Sequence, residues 1–550
     1  MHLILNGRAL DLDARSGATI LDVLREECGI TSVKDGCAPE GMCGACTVLI
    51  DGHAVVSCAQ PAAHMEGKSV VTQEGLTPDE RAMWAGCFVA AGASQCGFCS
   101  PGIVMKAEAL LAKDPDPSRE RILKSLAGNL CRCTGYAKIV DAITLAAAAK
   151  RGQGMPEIDY SGAVGSRSAR YGGSQLALGD HQYINDMKVP GMLHAAIRFS
   201  DHPRARVLAI DVSAARKHPG VVAVLTAADV PGQREQGTLI SDWPQLVAEG
   251  EETRYVGDVL ALVAAETRAA AREAAASVRV DYEVLEPVTD PMRALEAGAP
   301  KVHSGGNLLD TSAYRRGDVD AALASAAYVE TETFQTQFIE HAFLEPESSL
   351  AIPTEDGGIH FYSQGQGIWD DRRQVASFLG LPPERVRATQ VSSGGAFGAK
   401  EDLNVQGHAS LLALFTGRPV HLTLSRAESI RFHVKRHPLT MTYTVGCDAL
   451  GKLVAVRARI VGDTGAYASV GAKVLERAAG HACGPYEVPN VDVAARAVYT
   501  NNPPAGAMRG FGVNQVTFAM DGMLDRLAKR VGIDGWDIRW LNALEVGGTF

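Results

Sequence analysis

Ten of the twelve cysteines in this 550-residue chain fall between Cys28 and Cys133, and eight of those ten form two sets of four. The first set is Cys37, Cys43, Cys46 and Cys58, in GCAPEGMCGACTVLIDGHAVVSC, with spacing C-x5-C-x2-C-x11-C. The second is Cys96, Cys99, Cys131 and Cys133, in QCGFCSPG and CRCTGY, with spacing C-x2-C-x31-C-x1-C. In a reducing compartment such clustering points to metal or redox chemistry rather than to a disulfide scaffold. Thiolates that converge on an inorganic centre need a backbone that curls around it. Gly36, Gly41 and Gly44 give the first loop that freedom, and the N–H groups released by the curl can point at sulfur.

The alternatives are weaker. A four-cysteine zinc site fits C-x5-C with a lone fourth cysteine poorly, and a C-x-C pair is cramped for tetrahedral zinc. A thioredoxin-like redox pair would account for C-G-F-C but leaves Cys131 and Cys133 unexplained, and no parallel sheet is expected around it. Cys28 and Cys87 read as packing residues.

The hydrophobic pattern divides the chain into an α+β multidomain protein. Residues 1–77 alternate short apolar runs with Gly- and Asp-containing turns, a strand pattern with a tight turn at Asn6-Gly7 and one helix over TILDVLREECG. Residues 78–150 switch to helical spacing in four stretches, which predicts a four-helix bundle. Residues 151–178 are Gly- and Ser-rich without periodicity and read as a linker. Strands and helices alternate over 179–300, and 301–550 is a second mixed α/β region with Gly-rich loops at 394–399 and 506–512.

Charge narrows the partners. Lys plus Arg is 53 against 63 acidic residues, a net charge of −10, which disfavours nucleic acid as the main ligand. No run of about 18 apolar residues suggests a membrane span. The first residues read as a strand pair rather than a leader, so a cytoplasmic location is expected.

The first spacing is that of a plant-type 2Fe–2S ferredoxin loop with one residue added. Followed by C-G-F-C-S-P-G and C-R-C-T-G-Y in a helical bundle, it resembles the iron–sulfur part of the molybdenum hydroxylases, the xanthine dehydrogenase and aldehyde oxidoreductase family. The resemblance implies a β-grasp ferredoxin domain over 1–77, an iron–sulfur bundle over 78–150, the family's a/b hammerhead domain over 179–300 and a first molybdopterin-binding domain over 301–550. No flavin domain stands between 150 and 180. The cofactors implied are two 2Fe–2S clusters and a molybdenum–molybdopterin, its cytosine dinucleotide form among the candidates. Gln95 and Cys133 would lie against the pterin.

Four later segments carry the rest of the resemblance. FIEHAFLEPE resembles a family motif Q-E-H-x-x-L-E, with Ile339 where the family has a glutamine that hydrogen-bonds a metal oxo ligand; Gln366, in YSQGQGIWDD, is the candidate substitute. GGAFGAKED supplies Gly394, Gly395, Gly398 and Phe397 to approach the cofactor. VLERAAG and AMRGFGVNQ supply Arg477, Arg509 and Phe511. Glu401 and Arg477 match the Glu and Arg of the purine-oxidising members, and Phe511 the aromatic that stacks on the substrate ring. Charge that develops on a ring nitrogen or exocyclic oxygen is stabilised by a fixed Arg, a Glu can take or share a ring proton, and a Phe face holds the ring. The other reading of Glu401 and Arg477 is a structural or solvated charge pair.

The resemblance implies hydroxylation of a purine or similar N-heterocycle with water as oxygen source, or else oxidation of an aldehyde. A chain that only transfers electrons beside a partner is the reading from another class. Expected partners are a small-molecule substrate, an external electron acceptor (a ferredoxin or a flavin subunit) and further copies of the chain. The family's molybdenum region has a second half beyond the point that this sequence matches. LNALEVGGTF reads as mid-polypeptide, so either a truncated product or a second chain that completes the molybdenum site is expected.

Overall fold

Asn6 and Gly7 both take left-handed backbone, with φ of 51° and 79°, the twist that a two-residue hairpin turn requires. They join β1 (His2–Leu5) to β2 (Arg8–Asp11), with Leu5 opposite Arg8. The computed structural model describes residues 2–158, 160–166 and 168–547. With β3 (Thr47–Ile50), β4 (His53–Val56) and β5 (Ser69–Val71), the hairpin forms a five-stranded sheet of order β2-β1-β5-β3-β4, in which β1 and β5 run parallel. The predicted helix is shorter and split: α1 (Ile20–Asp22) starts on a Thr19–Asp22 capping box and continues as a π-turn over Val23–Glu27. Its Ile20, Leu21 and Leu24 pack on Leu3, Leu5, Val48 and Val70, and Cys46 and Cys58 join that core from the two ends of the β3–β4 hairpin.

Four helices follow, as the periodicity predicts: α2 (Pro78–Ala91), α3 (Ser100–Leu111), α4 (Arg119–Ser125) and α5 (Tyr136–Lys150). Thr77 and Glu80 form a capping box with Pro78 in the first turn of α2, a start signal worth about 1 kcal/mol. Trp84, Cys87, Phe88, Ile103, Val104, Ile139 and Ile143 fill the bundle core, so Cys87 is a packing residue.

The two cysteine-bearing units meet through backbone. Gly44 (φ 69°) lies so close to the turn before Cys131 that a Cβ there would stand 2.3 Å from Gly128 O and 2.9 Å from Asn129 Cα. Gly44→Ala is therefore expected to destabilise by about 1–3 kcal/mol, the usual cost of forcing atoms into a packed site, with φ strain added. The check is chemical denaturation; a midpoint equal to the parent's would contradict this account of the junction.

The linker is partly structured. Within the stretch expected to lack periodicity, α6 (Gly173–Leu178) packs Leu176, Ala177 and Leu178 into the bundle core. Its six residues are too few for a period to show. Just beyond it Asp186 takes Lys34 Nζ at 2.6 Å and Arg25 Nη2 at 2.9 Å. Side chains of all three are at most 5% exposed. Burial raises the Asp186 carboxyl, but Lys34 and Arg25 hold it below the usual carboxylate range.

The two later domains share a sheet. Seven strands run in the order Val386–Gln390, Ile359–Ser363, Ser348–Pro353, Val420–Thr423, Leu193–Phe199, Val259–Ala265, Val221–Thr226. The parallel pair at Val420↔Leu193 crosses from one domain into the other. Both neighbours of Leu193–Phe199 are needed to satisfy its backbone, so the boundary near residue 300 is one of sequence and not of the sheet. A second, five-stranded sheet (Leu308–Arg316, Asn490–Tyr499, Leu453–Gly465, Leu439–Cys447, Tyr328–Gln335) is covered by helices Gly471–Gly480 and Val513–Val531. No helix among the described residues is long and apolar enough to cross a membrane.

Candidate functional site

Each cysteine set converges. Cys37 Sγ contacts the sulfurs of Cys43 and Cys58, and Cys58 contacts Cys46. In the second set the contacts run Cys99–Cys131–Cys133–Cys96. Hydrogen bonds from the Cys43 and Cys58 thiols, with backbone N–H groups added, pull Cys37 down to about 2; those from Cys133 and Cys99 pull Cys131 down to about 3. Cys43 N–H donates to Cys37 Sγ at 3.2 Å, and the Phe98 and Gly135 N–H groups serve Cys96 and Cys131. Cys43, Cys58, Cys99 and Cys133, the donors within each set, are pushed up in turn, and the backbone N–H groups aimed at sulfur suit thiolate ligands. Gly41 and Gly44 are left-handed as expected, whereas Gly36 is not. Gly36 provides room instead: a Cβ there would meet Cys43 Sγ and Leu344 O, each at 3.1 Å.

The contacts in each set run from sulfur to sulfur as an open chain. Four thiolates at about 2.3 Å from one zinc stand about 3.8 Å apart in every pairing. Among the described residues no three cysteine sulfurs lie within 4.8 Å of one another. A drawn-out set of four with backbone donors fits a two-metal centre. The sets are joined by one backbone hydrogen bond, Leu130 N–H to Cys43 O at 2.9 Å, and Leu130 precedes Cys131.

The second set abuts the later domains. Gln95 Nε2 donates to Cys133 O at 3.2 Å, so the structure brings this pair together at the surface of the bundle. Between Cys131 and Cys133, Arg132 donates to His341 O at 2.7 Å and Glu340 O at 3.1 Å. Arg426 does the same for the first set, bridging Gly36 O and Leu344 O at 2.8 and 2.7 Å. Residues 340–344 are therefore the seam between the cysteine half and the rest.

The loops beyond the seam are held in uncommon backbone. Among the described residues, besides the hairpin residues Asn6 and Asp51, the non-glycine residues with positive φ are Thr134, beside Cys133, and Ala342, Phe397, Ser469 and Phe511, in or against these loops; such conformations cluster where a site needs them. Arg509 N–H donates to Phe397 O at 3.0 Å, and a Cβ on Gly398 would stand 2.4 Å from Ala507 O. The 394–399 and 506–512 loops thus pack main chain to main chain, with Gly395 at φ 104° and the Arg509 side chain exposed. Gln366 accepts Gly398 N–H at 3.0 Å and donates its own N–H to Lys400 O at 2.7 Å, so it braces the Gly-rich loop.

Arg477 and Phe511 meet: the guanidinium carbon lies 5.7 Å from the ring centroid, and both line a cavity of about 640 Å³ with Tyr314 and His481. Glu401 stands apart. Its charged neighbours are Asp402 and Asp370, not Arg477, and burial followed by those two carboxylates raises its pKa. Glu401 and Arg477 are therefore not a structural ion pair with each other. Ile339 contributes its carbonyl to Arg436 N–H at 3.2 Å.

Sequence reasoning passed over a buried charge network beneath these loops. His433 faces two carboxylates, Glu340 from Nε2 at 2.7 Å and Glu347 from Nδ1 at 2.9 Å, and Lys435 Nζ lies 2.9 Å from Glu340. Burial raises Glu340, but His433 and Lys435 pull it well below the carboxylate range. Lys400, 1% exposed, lies 4.3 Å over the Phe343 ring. The available signal was chemical: Lys400 and Glu345 stand beside Gly-rich and apolar runs where a solvated charge is out of place.

The donors fit the implied groups: thiolate sets for iron–sulfur centres, and the amide of Gln95, Gly-rich backbone and the exposed guanidinium of Arg509 for a polar, phosphate-bearing pterin.

Family models match four stretches of the chain. Residues 3–77 match a 2Fe-2S iron-sulfur cluster binding domain and 72–144 a [2Fe-2S] binding domain. Residues 178–286 match the aldehyde oxidase and xanthine dehydrogenase a/b hammerhead domain, and 302–543 a molybdopterin cofactor-binding domain. The chain is 40% identical to a probable xanthine dehydrogenase subunit of Bacillus subtilis over 66% of its own length and 49% of that protein's. It is 40% identical to the nicotinate dehydrogenase large molybdopterin subunit of Eubacterium barkeri, over 71% of this chain and 91% of that one. The solved aldehyde oxidoreductase of Desulfovibrio gigas superposes with a TM-score of 0.94 at 31% identity, over all of this chain and 63% of that one. The chain thus spans about half the length of the first relative and nearly two thirds of the third.

Proposed function

Because this chain belongs to the molybdenum hydroxylase family, we propose that it takes part in hydroxylating an electron-poor N-heterocycle, a purine such as hypoxanthine or xanthine, with water as oxygen source. Electrons would leave through the two cysteine-held 2Fe–2S clusters to an external acceptor. The observation that carries the ring substrate is Arg477 over Phe511 at the wall of the 640 Å³ cavity. The names of two relatives, xanthine dehydrogenase and nicotinate dehydrogenase, support it.

The residues divide the work. Gln95 and the Cys133 loop would hold the pterin edge, and Gly395, Phe397, Gln366 and Arg509 the rest of the cofactor. When bound, the molybdenum centre supplies the oxygen-transfer and two-electron chemistry. Phe511 offers a flat face to the ring. Arg477 stabilises negative charge where it develops on the heterocycle. Glu401, its proton affinity raised by burial and by Asp402 and Asp370, can hold a proton for a ring nitrogen. The Eubacterium barkeri relative is by name one subunit of an enzyme, and we place this chain in an assembly too, with a second molybdopterin-binding chain or stretch that completes the site.

Glu401→Val and Arg477→Met in the complete enzyme are expected to lower kcat/KM for xanthine by about 10²–10³-fold each, the scale for a lost transition-state contact, while a simple aldehyde is spared. Equal losses on both substrates would discard the purine reading; the aldehyde reading draws on the likeness, over all of this chain and 63% of the other, to an aldehyde oxidoreductase.

A further inference from the structure

Glu345 has no part in the chemistry above, yet it occupies the seam. It is fully buried. Its Oε2 accepts Gly394 N–H at 2.6 Å, and its backbone carbonyl accepts Lys400 Nζ at 2.9 Å. It therefore holds both ends of the Gly-rich loop. Oε1 makes no hydrogen bond of normal length, although the Asn185 N–H also faces the carboxyl. A Cβ on Gly394 would meet Glu345 Cβ at 2.4 Å and the Phe98 ring at 2.7 Å, and Phe98 lies between Cys96 and Cys99. The carboxyl thus stands between the loop and the bundle's cysteines.

The charges around it come from several elements, including Arg426, which bonds the Leu344 carbonyl next to it. Lys400 stands on the loop, Glu347 farther along its own segment, and Asp186 and Lys34 come from the iron–sulfur side, with the Cys96 sulfur and the Tyr183 hydroxyl beyond. Burial, with Asp186 adding to it and Lys400 and the Gly394 and Asn185 N–H groups only partly offsetting it, pushes Glu345 up to about 7. A carboxylate oxygen in a dry site without a well-formed hydrogen bond is costly as part of an anion and is where a proton relieves that cost. An added electron on the neighbouring cluster places more negative charge in the same low-dielectric region and raises that proton affinity further.

We propose that Glu345 is a redox-linked proton acceptor, its Oε1 taking a proton when the bundle cluster gains an electron and giving it up when the electron moves on. The inference rests on the 2Fe–2S cluster at Cys96, Cys99, Cys131 and Cys133 and not on the identity of the substrate. In the step one ferric ion becomes ferrous with an electron from substrate or added reductant, a proton comes from water, and one O–H bond forms at Oε1. A route inward begins at Glu340, whose side chain is 27% exposed, and passes His433 to Glu347. Lys400 then stands between Glu347 and Glu345 in charge contact with both.

The test is a potentiometric titration of the holoenzyme followed by electron paramagnetic resonance on both sides of neutral pH. The bundle cluster's potential is expected to fall as pH rises, because reduction carries a proton with it, and this slope is expected to vanish in Glu345→Gln, which keeps the shape and can still accept Gly394 N–H. A wild-type potential flat in pH, or a slope that persists in the variant, overturns the proposal. If the variant loses its iron, the infrared redox-difference spectrum of the unmodified enzyme decides. A carboxylic C=O band that grows on reduction and shifts in D₂O supports Glu345, and its absence overturns it. Only one paramagnetic centre instead of two would count against the cluster assignment itself.

Discussion

Cys131→Ser is expected to hold about two iron atoms per chain where the parent holds about four, two for each 2Fe–2S centre. Cys131 is 8% exposed and contacts both Cys99 and Cys133, so its loss breaks the second sulfur set in the middle. The first set is untouched. Iron analysis and the visible spectrum measure the effect, and Cys87→Ser is the control. Cys87 lies in the bundle core away from both sets, its thiol pushed up to about 11 by burial alone, so its replacement should leave the iron count unchanged. Anaerobically prepared protein that is colourless and binds zinc would overturn the two-metal reading of both sets.

Asp186→Ala is expected to cost about 3–5 kcal/mol, the scale for stranding buried charge, because it leaves the Lys34 ammonium and Arg25 guanidinium without their carboxylate. The loss should appear in denaturant melts as early release of the iron–sulfur half. The parent has a matching acid sensitivity. The folded Asp186 carboxyl is held below its unfolded value, so its stabilisation is complete above the unfolded carboxylate range and fades as pH falls through the folded value. In the variant that part of the acid response should disappear. A variant as stable as the parent at neutral pH would show that the three groups are not a structural unit.

What the sequence made legible has a local cause. Cysteine spacing and the Asn6-Gly7 turn each act over a few residues, and each has its expected partner in the structure. Long-range partners carry no such signature. Nothing near Leu193 says that its strand pairs with Val420, and the six residues of α6 are too few to show a period. The Glu340–His433–Glu347 network joins residues far apart in sequence, and single charged letters in each segment read as surface. Arg477 and Phe511 were expected at one site and stand together. Glu401 was expected there too, and its charged surroundings are acidic, which leaves its role to the substitution experiment.

The returning segment 173–186 also bears on how the iron–sulfur half can be transplanted. A portable version cut at residue 150 would leave behind α6, which fills the bundle, and Asp186, which neutralises Lys34 and Arg25. Anyone grafting these two units onto another protein should carry the donor sequence through residue 186.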